Sequence, residues 1–479
     1  RIGKMSDFAE AVFAENPELP VVRGDMSDSW VHGVMSNPQA TRTARRVRPL
    51  MPLLETLHTQ EKEWGIMPYE IDEDLAYIYD KSLMYGEHTW GLANQHFVPG
   101  LTGKDWYKMY VTGLDPAYAR MKESWKEHIG YIEDAEQALR PELENELATL
   151  AENVAREGFR FVVYNPLPWE RGGMVNFVLP SQGSIKEAYV KEVGTGRIYD
   201  LKVYGADSKR LGTFFAEGIP ANGYKTYILT DESPAQVENS LKGEEQANYI
   251  ENKWYKVSFD KKKGCIRSIW DKTNKRELVD DQSENGFGSY VYERYDKEQS
   301  YRYLKEYIYD KYKNSHYQIT GKSTYLDERT KGIHESPRNM EFHVENHKSS
   351  IRGVLTPSAF VGEEKHTAGL TVTLYENMPC IDVKLSVINK PATEEPEAGW
   401  IALPFKTKSP EYRVGRIGSV VDPAKDLIEG SQFNYIWSNS GIMIKDKEYS
   451  VGVCPIDAPA FVLGDLDFMH YADTYENPR

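Results

Sequence analysis

The chain has 479 residues, more than one hydrophobic core usually supports, so two or three domains are expected. Its 73 Asp and Glu residues outnumber its 58 Lys and Arg residues, and the formal charge of −15 makes nucleic acid a poor partner. Because no apolar run is long enough for a membrane-spanning helix, we expect no membrane partner either.

The cysteines and the first residues bear on the compartment. Cys265, Cys380 and Cys454 are widely spaced and fit neither a zinc cluster nor a disulfide framework, so they favour a reducing compartment and a cytoplasmic location. The first residues show no secretion signal, and the chain begins with Arg1, so we expect the true N-terminus further upstream.

Residues 1–40 look like one βα unit of an α/β domain. The pattern predicts a helix over Asp7–Asn16, a short apolar strand over Leu19–Val22 and a polar loop over Gly24–Pro38. One such unit cannot form a sheet alone.

Residues 41–157 carry apolar side chains at helical spacing. One stripe predicts the buried face of a helix from Asp72 to Tyr85, and its members are Leu75, Ile78, Tyr79 and Leu83. Pro49 is expected to start or restart the first helix, and Pro141 to interrupt the pattern before a last helix with Leu143, Leu147, Leu150 and Val154 on its buried face. Helices of this length, joined by short loops, favour an antiparallel three-helix bundle.

From Phe159 onward the hydrophobic period changes to two. Tyr255–Phe259 and Cys265–Trp270 flank a turn that ends in Gly264, which predicts a hairpin. Similar strands recur to the end of the chain, so residues 158–479 are predicted to form a large antiparallel β-sandwich region. The charged segment Lys322–Lys348 looks like a long surface insertion. The fold class is therefore multidomain α+β.

The loop from Arg23 to Gly33 holds the first candidate site. Asp25, Asp28 and Trp30 lie within six positions, after the predicted strand, where α/β barrels carry their catalytic groups. An indole offers an apolar face to a pyranose ring, and a carboxyl group with a raised pKa can protonate a glycosidic oxygen. The same residues also suit a solvated loop in which Asp serves turns and helix caps.

The second candidate site follows the helix Asp72–Tyr85. His88 is a candidate metal ligand, and Glu87 and Trp90 are candidate substrate contacts. The alternative is that His88 merely ends a helix, where the macrodipole favours it. The sequence has no HExxH or CxxC metal spacing and no Gly-rich phosphate loop. The residues alone therefore indicate a carbohydrate hydrolase with an acidic, aromatic site, and no more.

Several segments, which follow one another in the family's order along the chain, resemble glycoside hydrolase family 38. They read FVVYNPLPWER over Phe161–Arg171, ENKWYKVSFD over Glu251–Asp260, GCIRSIWDK over Gly264–Lys272 and RELVD over Arg276–Asp280. The resemblance implies the end of an α/β barrel over 1–40, a helical bundle over 41–157 and galactose-mutarotase-like β-sandwich domains over 158–479. The chain looks like a member of a divergent bacterial branch of this family, truncated at its N-terminus.

The resemblance also implies a chemistry, namely retaining, zinc-dependent hydrolysis of α-mannosides. By position, His88 would bind the zinc, Asp28 or Asp25 would be the acid/base, and Trp30, Glu87 and Trp90 would contact the sugar. The nucleophile and the other zinc ligands are expected upstream. This chain would then hold an incomplete shell for one divalent ion and be inactive alone.

Two other classes of protein stay open. One is a non-catalytic carbohydrate-binding β-sandwich protein, which an upstream His-x-Asp and a second Asp loop would argue against. The other is a polysaccharide lyase, which should carry Tyr, His and basic residues on its helices, whereas the loop near His88 has Glu87 and little positive charge. The expected partner is a carbohydrate substrate, and homo-oligomers are left open.

Overall fold

A computed structural model describes most of the chain, namely residues 3–26, 32–66, 69–87, 103–156, 158–179, 189–204, 210–233, 240–296, 298–299, 332–347, 349–358, 366–393, 397–428, 431 and 436–464. Two compact units divide it: Arg1–His32 with Ser409–Arg479, and Gly33–Lys408. Within the described ranges, no helix is both long and apolar enough to cross a membrane.

The helices precede the strands in the chain. They are α1 (Met5–Ala14), α2 (His32–Met35), α3 (Pro38–Val47), α4 (Leu50–Trp64), α5 (Asp72–Met84), α6 (Gly103–Thr112) and α7 (Pro116–Asn153). The change from helix to strand comes between Asn153 and Phe161, close to the predicted boundary at 157. The domain assignments themselves, including the barrel remnant and the three-helix bundle, stay predictions.

The predicted strand at Leu19–Val22 is wrong. The helix before it is present as α1, but residues 16–23 have no regular structure, and Leu19, Val21 and Val22 are exposed. An apolar segment forms a strand only if its backbone groups find a partner. Here the pairing begins later, at a single parallel bridge between Asp25 and Leu427.

The prolines of the helical region behave differently from one another. Pro49 separates α3 from α4, as predicted. Pro141, in contrast, lies inside α7, which continues to Asn153, so the predicted interruption is wrong. Proline removes one backbone donor from a helix, and neighbouring packing can offset that loss. Leu139 and Leu150, on either side of Pro141, are both buried and supply such packing.

The predicted stripe of α5 is largely correct. Ile78 is buried, and Leu75 and Tyr79 pack against the same core, whereas Leu83 is 72% exposed and Ser82 is buried instead. The core joins α3, α4, α5 and α7, and its buried members are Ala40, Ala44, Val47, Met51, Leu54, Ile71, Ile78, Tyr85, Ile132, Ala135 and Leu139.

The remaining described chain is β-structure. Its first strands are β1 (Phe161–Asn165), β2 (Arg171–Val178), β3 (Tyr189–Glu192), β4 (Ile198–Asp200), β5 (Lys202–Tyr204), β6 (Leu211–Ile219), β7 (Gly223–Thr230), β8 (Lys242–Glu244), β9 (Tyr249–Glu251), β10 (Tyr255–Asp260), β11 (Cys265–Asp271) and β12 (Arg276–Glu277). The next are β13 (Tyr290–Arg294), β14 (Ile333–Glu335), β15 (Glu341–Asn346), β16 (Ser350–Thr356), β17 (Thr367–Tyr375), β18 (Ile381–Ile388) and β19 (Glu397–Ile401). The last are β20 (Glu411–Arg416), β21 (Ser419–Val421), β22 (Ile436–Trp437), β23 (Gly441–Lys445), β24 (Ser450–Val453) and β25 (Ala460–Phe461).

These strands pair antiparallel in several small sheets. In the unit Gly33–Lys408 the sheet orders are β1-β7-β3-β4, β2-β6-β5, β12-β11-β10-β9-β8, β14-β13-β19 and β15-β16-β17-β18. In the other unit they are β21-β20-β23-β24 and β22-β25. The chain is thus a β-rich multidomain protein. The segment Lys322–Lys348 includes β14 and β15, so reading all of it as an insertion is wrong.

The polar residues of the family-like segments hold backbone in place. Buried Asn165 donates to the Trp169 carbonyl at 2.8 Å and to the Pro220 carbonyl at 3.0 Å. Buried Asn252 donates to the Tyr375 carbonyl and accepts from the amides of Trp254 and Tyr255, while Glu277 accepts from two backbone amides. Because each buried backbone group needs such a partner, these residues mark the fold and not the chemistry.

The hairpin of β10 and β11 is confirmed, and its turn requires a glycine. Gly264 has a φ of +67°, and a Cβ there would lie 2.6 Å from the Pro337 carbonyl oxygen. We expect Gly264→Ala to cost about 1–3 kcal/mol of unfolding free energy, measured by chemical denaturation. Gly196→Ala is the control, since Gly196 has a φ of +74° in open space. Equal losses would contradict a role for the close approach.

Candidate functional site

Asp25 anchors the N-terminal segment to the last sheets of the same unit. Its Oδ2 lies 2.7 Å from Nε of Arg416, and Nη2 of Arg416 donates to Oδ1 at 3.3 Å. The Asp25 amide donates to Asp426, and Ile428 donates back to the Asp25 carbonyl at 3.0 Å. Gly24 allows this approach, because a Cβ there would lie 2.6 Å from the Asp426 carbonyl oxygen.

These contacts bear on the two predicted catalytic carboxylates. The Asp25 carboxylate lies against the Arg416 guanidinium and its side chain is only 10% exposed, whereas a general acid must reach the glycosidic oxygen. Asp25 is therefore better suited to hold its loop than to donate a proton. Asp28 and Trp30 lie outside the described residues. The sequence is therefore the evidence for Asp28 as the acid and for Trp30 as a sugar contact.

The second predicted site begins at the end of α5. Glu87 is half-buried, and its amide donates to the Met84 carbonyl at 3.1 Å. His88 and Trp90 lie outside the described residues. Of the six predicted site residues, only Asp25 and Glu87 are among the described residues. The structure tests none of the predicted roles.

Three side chains fix the helix end that leads to Glu87. The Tyr85 hydroxyl lies 3.1 Å from the Thr41 hydroxyl, and Nη2 of Arg48 donates to the Ser82 carbonyl at 3.0 Å. Buried His128 donates through Nε2 to the Tyr85 carbonyl at 3.0 Å. Unsatisfied carbonyls at a helix C-terminus are usually left to water or to a cap. Here Arg48 and His128 bind two of these carbonyls, so packed side chains hold the helix end that precedes Glu87.

Sequence reasoning missed a buried acidic cluster between α4 and α7. His58 Nδ1 lies 2.9 Å from Glu146 Oε1, and Glu61 is fully buried beside them. Burial, together with the neighbouring Glu146, raises the pKa of Glu61 to about 9. The signal was present, because Glu61 continues the buried stripe of Leu54 and His58. The predicted Leu147 is 38% exposed, and Glu146 takes its buried place.

The predicted zinc needs a set of donors that the described residues do not form. Among them, no group of three or more His, Cys, Asp or Glu side chains is arranged to hold a metal ion. The Asp25 carboxylate contacts a guanidinium instead. The zinc prediction therefore rests on His88, which lies outside the described residues.

Sheet order and antiparallel pairing define a β-rich multidomain protein. Residues 250–454 match the family model of the glycosyl hydrolases family 38 C-terminal domain. Residues 250–454 are thus a glycoside hydrolase family 38 C-terminal domain, which confirms the resemblance seen in the sequence.

Comparison with solved structures gives the same family name. The chain is similar to a glycosyl hydrolase family 38 protein from Enterococcus faecalis, with a TM-score of 0.59 and 11% sequence identity. The match covers 96% of this chain and 55% of that one, so the chain spans about half the length of this relative. At this identity the likeness concerns the fold. No curated protein sequence matches the chain.

Proposed function

We propose that the protein acts as a retaining, zinc-dependent glycoside hydrolase on α-mannosides or related glycans. The family 38 match over residues 250–454 carries this proposal. The candidate loops supply the residue types that such chemistry needs, namely a carboxylic acid, an imidazole and indole rings. The proposed partner is therefore a carbohydrate. The formal charge of −15 argues against nucleic acid.

The roles within the site follow from the contacts of Asp25. Because Arg416 engages Asp25, we assign the acid/base role to Asp28, with Trp30, Glu87 and Trp90 toward the sugar. His88 is the proposed metal ligand. A zinc ion bound there would polarise sugar hydroxyls. Asp28 would give its proton to the glycosidic oxygen while a second carboxylate, the nucleophile expected upstream, forms the bond to the anomeric carbon.

Replacing His88 tests the proposal directly. In the full-length protein we expect His88→Ala to lose most bound zinc and to lower p-nitrophenyl α-mannoside hydrolysis by at least about a hundredfold. Zinc content and turnover are measured on the same preparations. His96→Ala, in the same segment of the chain, is the control and should retain both. Wild-type zinc and turnover in His88→Ala would make His88 an ordinary helix-end residue.

Two further proposals concern the chain as it stands. Because it spans about half of the family 38 relative, we propose that these 479 residues alone do not hydrolyse the substrate. Turnover by this chain would contradict that proposal.

The three cysteines, Cys265, Cys380 and Cys454, form no disulfide and support a cytoplasmic location. If the full-length protein bound no zinc and showed no turnover, a non-catalytic carbohydrate-binding protein would be favoured, because the family match lies in the β region.

A further inference from the structure

A buried carboxylate on β13 holds side chains from three parts of the β region. The Glu293 side chain is 10% exposed, and its Oε1 lies 3.1 Å from Nδ1 of His334 on β14. Its Oε2 accepts hydrogen bonds from the Tyr295 hydroxyl and from Nε1 of Trp400 on β19, both at 2.8 Å. Strands β14 and β19 flank β13, so this one carboxylate links the sheet across its width.

The sheet register places the two rings on one face. Glu293 lies opposite His334. Val291, two positions before Glu293 on the same strand, lies opposite Trp400. Side chains two positions apart on a strand share a face. His334 and Trp400 therefore flank Glu293 on the same side of the sheet.

The contact with Glu293 orients the imidazole, because Nδ1 of His334 faces the carboxylate. With Nδ1 of His334 donating to the carboxylate, Nε2 is the ring nitrogen that can accept a hydrogen bond when the ring is neutral. The His334 side chain is 48% exposed, so solvent reaches the imidazole. Burial and the adjacent Glu293 raise the pKa of Tyr295, which therefore keeps its proton and remains a donor to the carboxylate.

Other histidine and carboxylate pairs in the described residues lack this combination. His343 lies 3.7 Å from Glu341 and 4.0 Å from Glu245, and all three side chains are largely exposed. The imidazole of His58, beside Glu146, is itself buried and cannot meet a ligand. The pair of Glu293 and His334 joins a buried, fixed carboxylate to an imidazole that solvent reaches.

We propose that Glu293, His334 and Trp400, none of which belongs to the candidate loops, form a second carbohydrate-binding site, the dyad site. His334 Nε2 accepts a sugar hydroxyl, Trp400 offers its indole to the apolar face of the pyranose, and Glu293 positions both rings. A hydrogen-bonding imidazole beside an aromatic ring suits a neutral polyol better than an anion, because the set holds a carboxylate and neither Lys nor Arg. The choice of a mannoside as the probe rests on the proposed function.

Titration of the histidine-labelled chain with methyl α-D-mannopyranoside tests the dyad site. The ring signals of His334, assigned by their loss in His334→Gln, should shift and saturate. By calorimetry, the dissociation constant should rise roughly tenfold or more in His334→Gln and in Trp400→Phe. His343→Gln is the matched control and should bind as wild type does. Thermal denaturation checks that His334→Gln is folded, which its exposed position favours.

The Glu293→Gln variant shows whether Glu293 positions the His334 ring through its hydrogen bond or only packs against it. Two-bond proton–nitrogen spectra should show the Nδ1–H tautomer of His334 in the wild type and a mixture of tautomers in the variant. An unshifted His334 ring during the titration, or wild-type affinity in His334→Gln, would overturn the dyad site. Mannoside hydrolysis without binding at His334 would leave the proposed function intact, and binding there without hydrolysis by the full-length protein would sink only the proposed function.

Discussion

Replacing Glu61 with glutamine should make the protein more stable at neutral and alkaline pH and flatten its dependence on pH. The buried Glu61 has its pKa raised from 4.5 to about 9 by burial and by the neighbouring Glu146. Both of its oxygens are buried, and its hydrogen bond with the Glu146 carboxyl group needs a proton between the two, so the neutral acid is the form that the fold accommodates. A glutamine of the same shape carries no ionisable proton.

The sign of this effect follows from proton release. Between about pH 4.5 and 9 the folded chain keeps the Glu61 proton, whereas the unfolded chain has lost it. Stability therefore falls as pH rises through this window, by up to about 1.4 kcal/mol per pH unit, and levels off above it. Below the window both states are protonated, and the contribution of Glu61 is constant.

Denaturation of wild type and Glu61→Gln between about pH 5 and 9 measures the effect. We expect the variant to gain on the order of 3 kcal/mol at about pH 8 and little at about pH 5. Glu63→Gln, two residues along the same helix and exposed, is the control and should follow the wild type. Parallel stability curves for wild type and Glu61→Gln would show that Glu61 is ionised in the folded protein.

Replacing Asp25 with asparagine should loosen the N-terminal segment of its unit. The ion pair with Arg416 is about nine-tenths buried on both sides, with side chains 10% and 13% exposed. Removal of one partner leaves the other charge poorly solvated, so we expect a local loss of about 3 kcal/mol. If Asp25 were the general acid, the same change would abolish turnover and leave stability nearly unchanged.

Hydrogen exchange at Ile428 reports this loss locally, because its amide donates to the Asp25 carbonyl. Exchange should be faster in Asp25→Asn and in Arg416→Gln, and the double variant should add little to either. The matched control is Asp7→Asn, an exposed carboxylate of α1 in the same unit. Unchanged exchange at Ile428 together with lost hydrolysis in the full-length Asp25→Asn protein would restore Asp25 as the acid candidate.

The motifs that revealed the family are structural. Asn165, Asn252 and Glu277 bind backbone groups within the β region, so a short segment around each is recognisable from sequence. The chemistry gave no such local signal. Asp25 looked like an acid because its neighbours in the chain are acidic and aromatic, and its partner Arg416 is 391 positions away.

What the sequence alone determined is local. Helical spacing gave α5, Pro49 divided α3 from α4, and Gly264 marked the β10–β11 hairpin, because backbone preference and near neighbours decide these features. Tertiary structure alone decided the rest. Leu19–Val22 found no strand to pair with, Pro141 stayed in a packed helix, and Glu61 and Glu293 were buried by partners remote in the chain. Burial and pairing depend on those distant residues, whose approach no local pattern records.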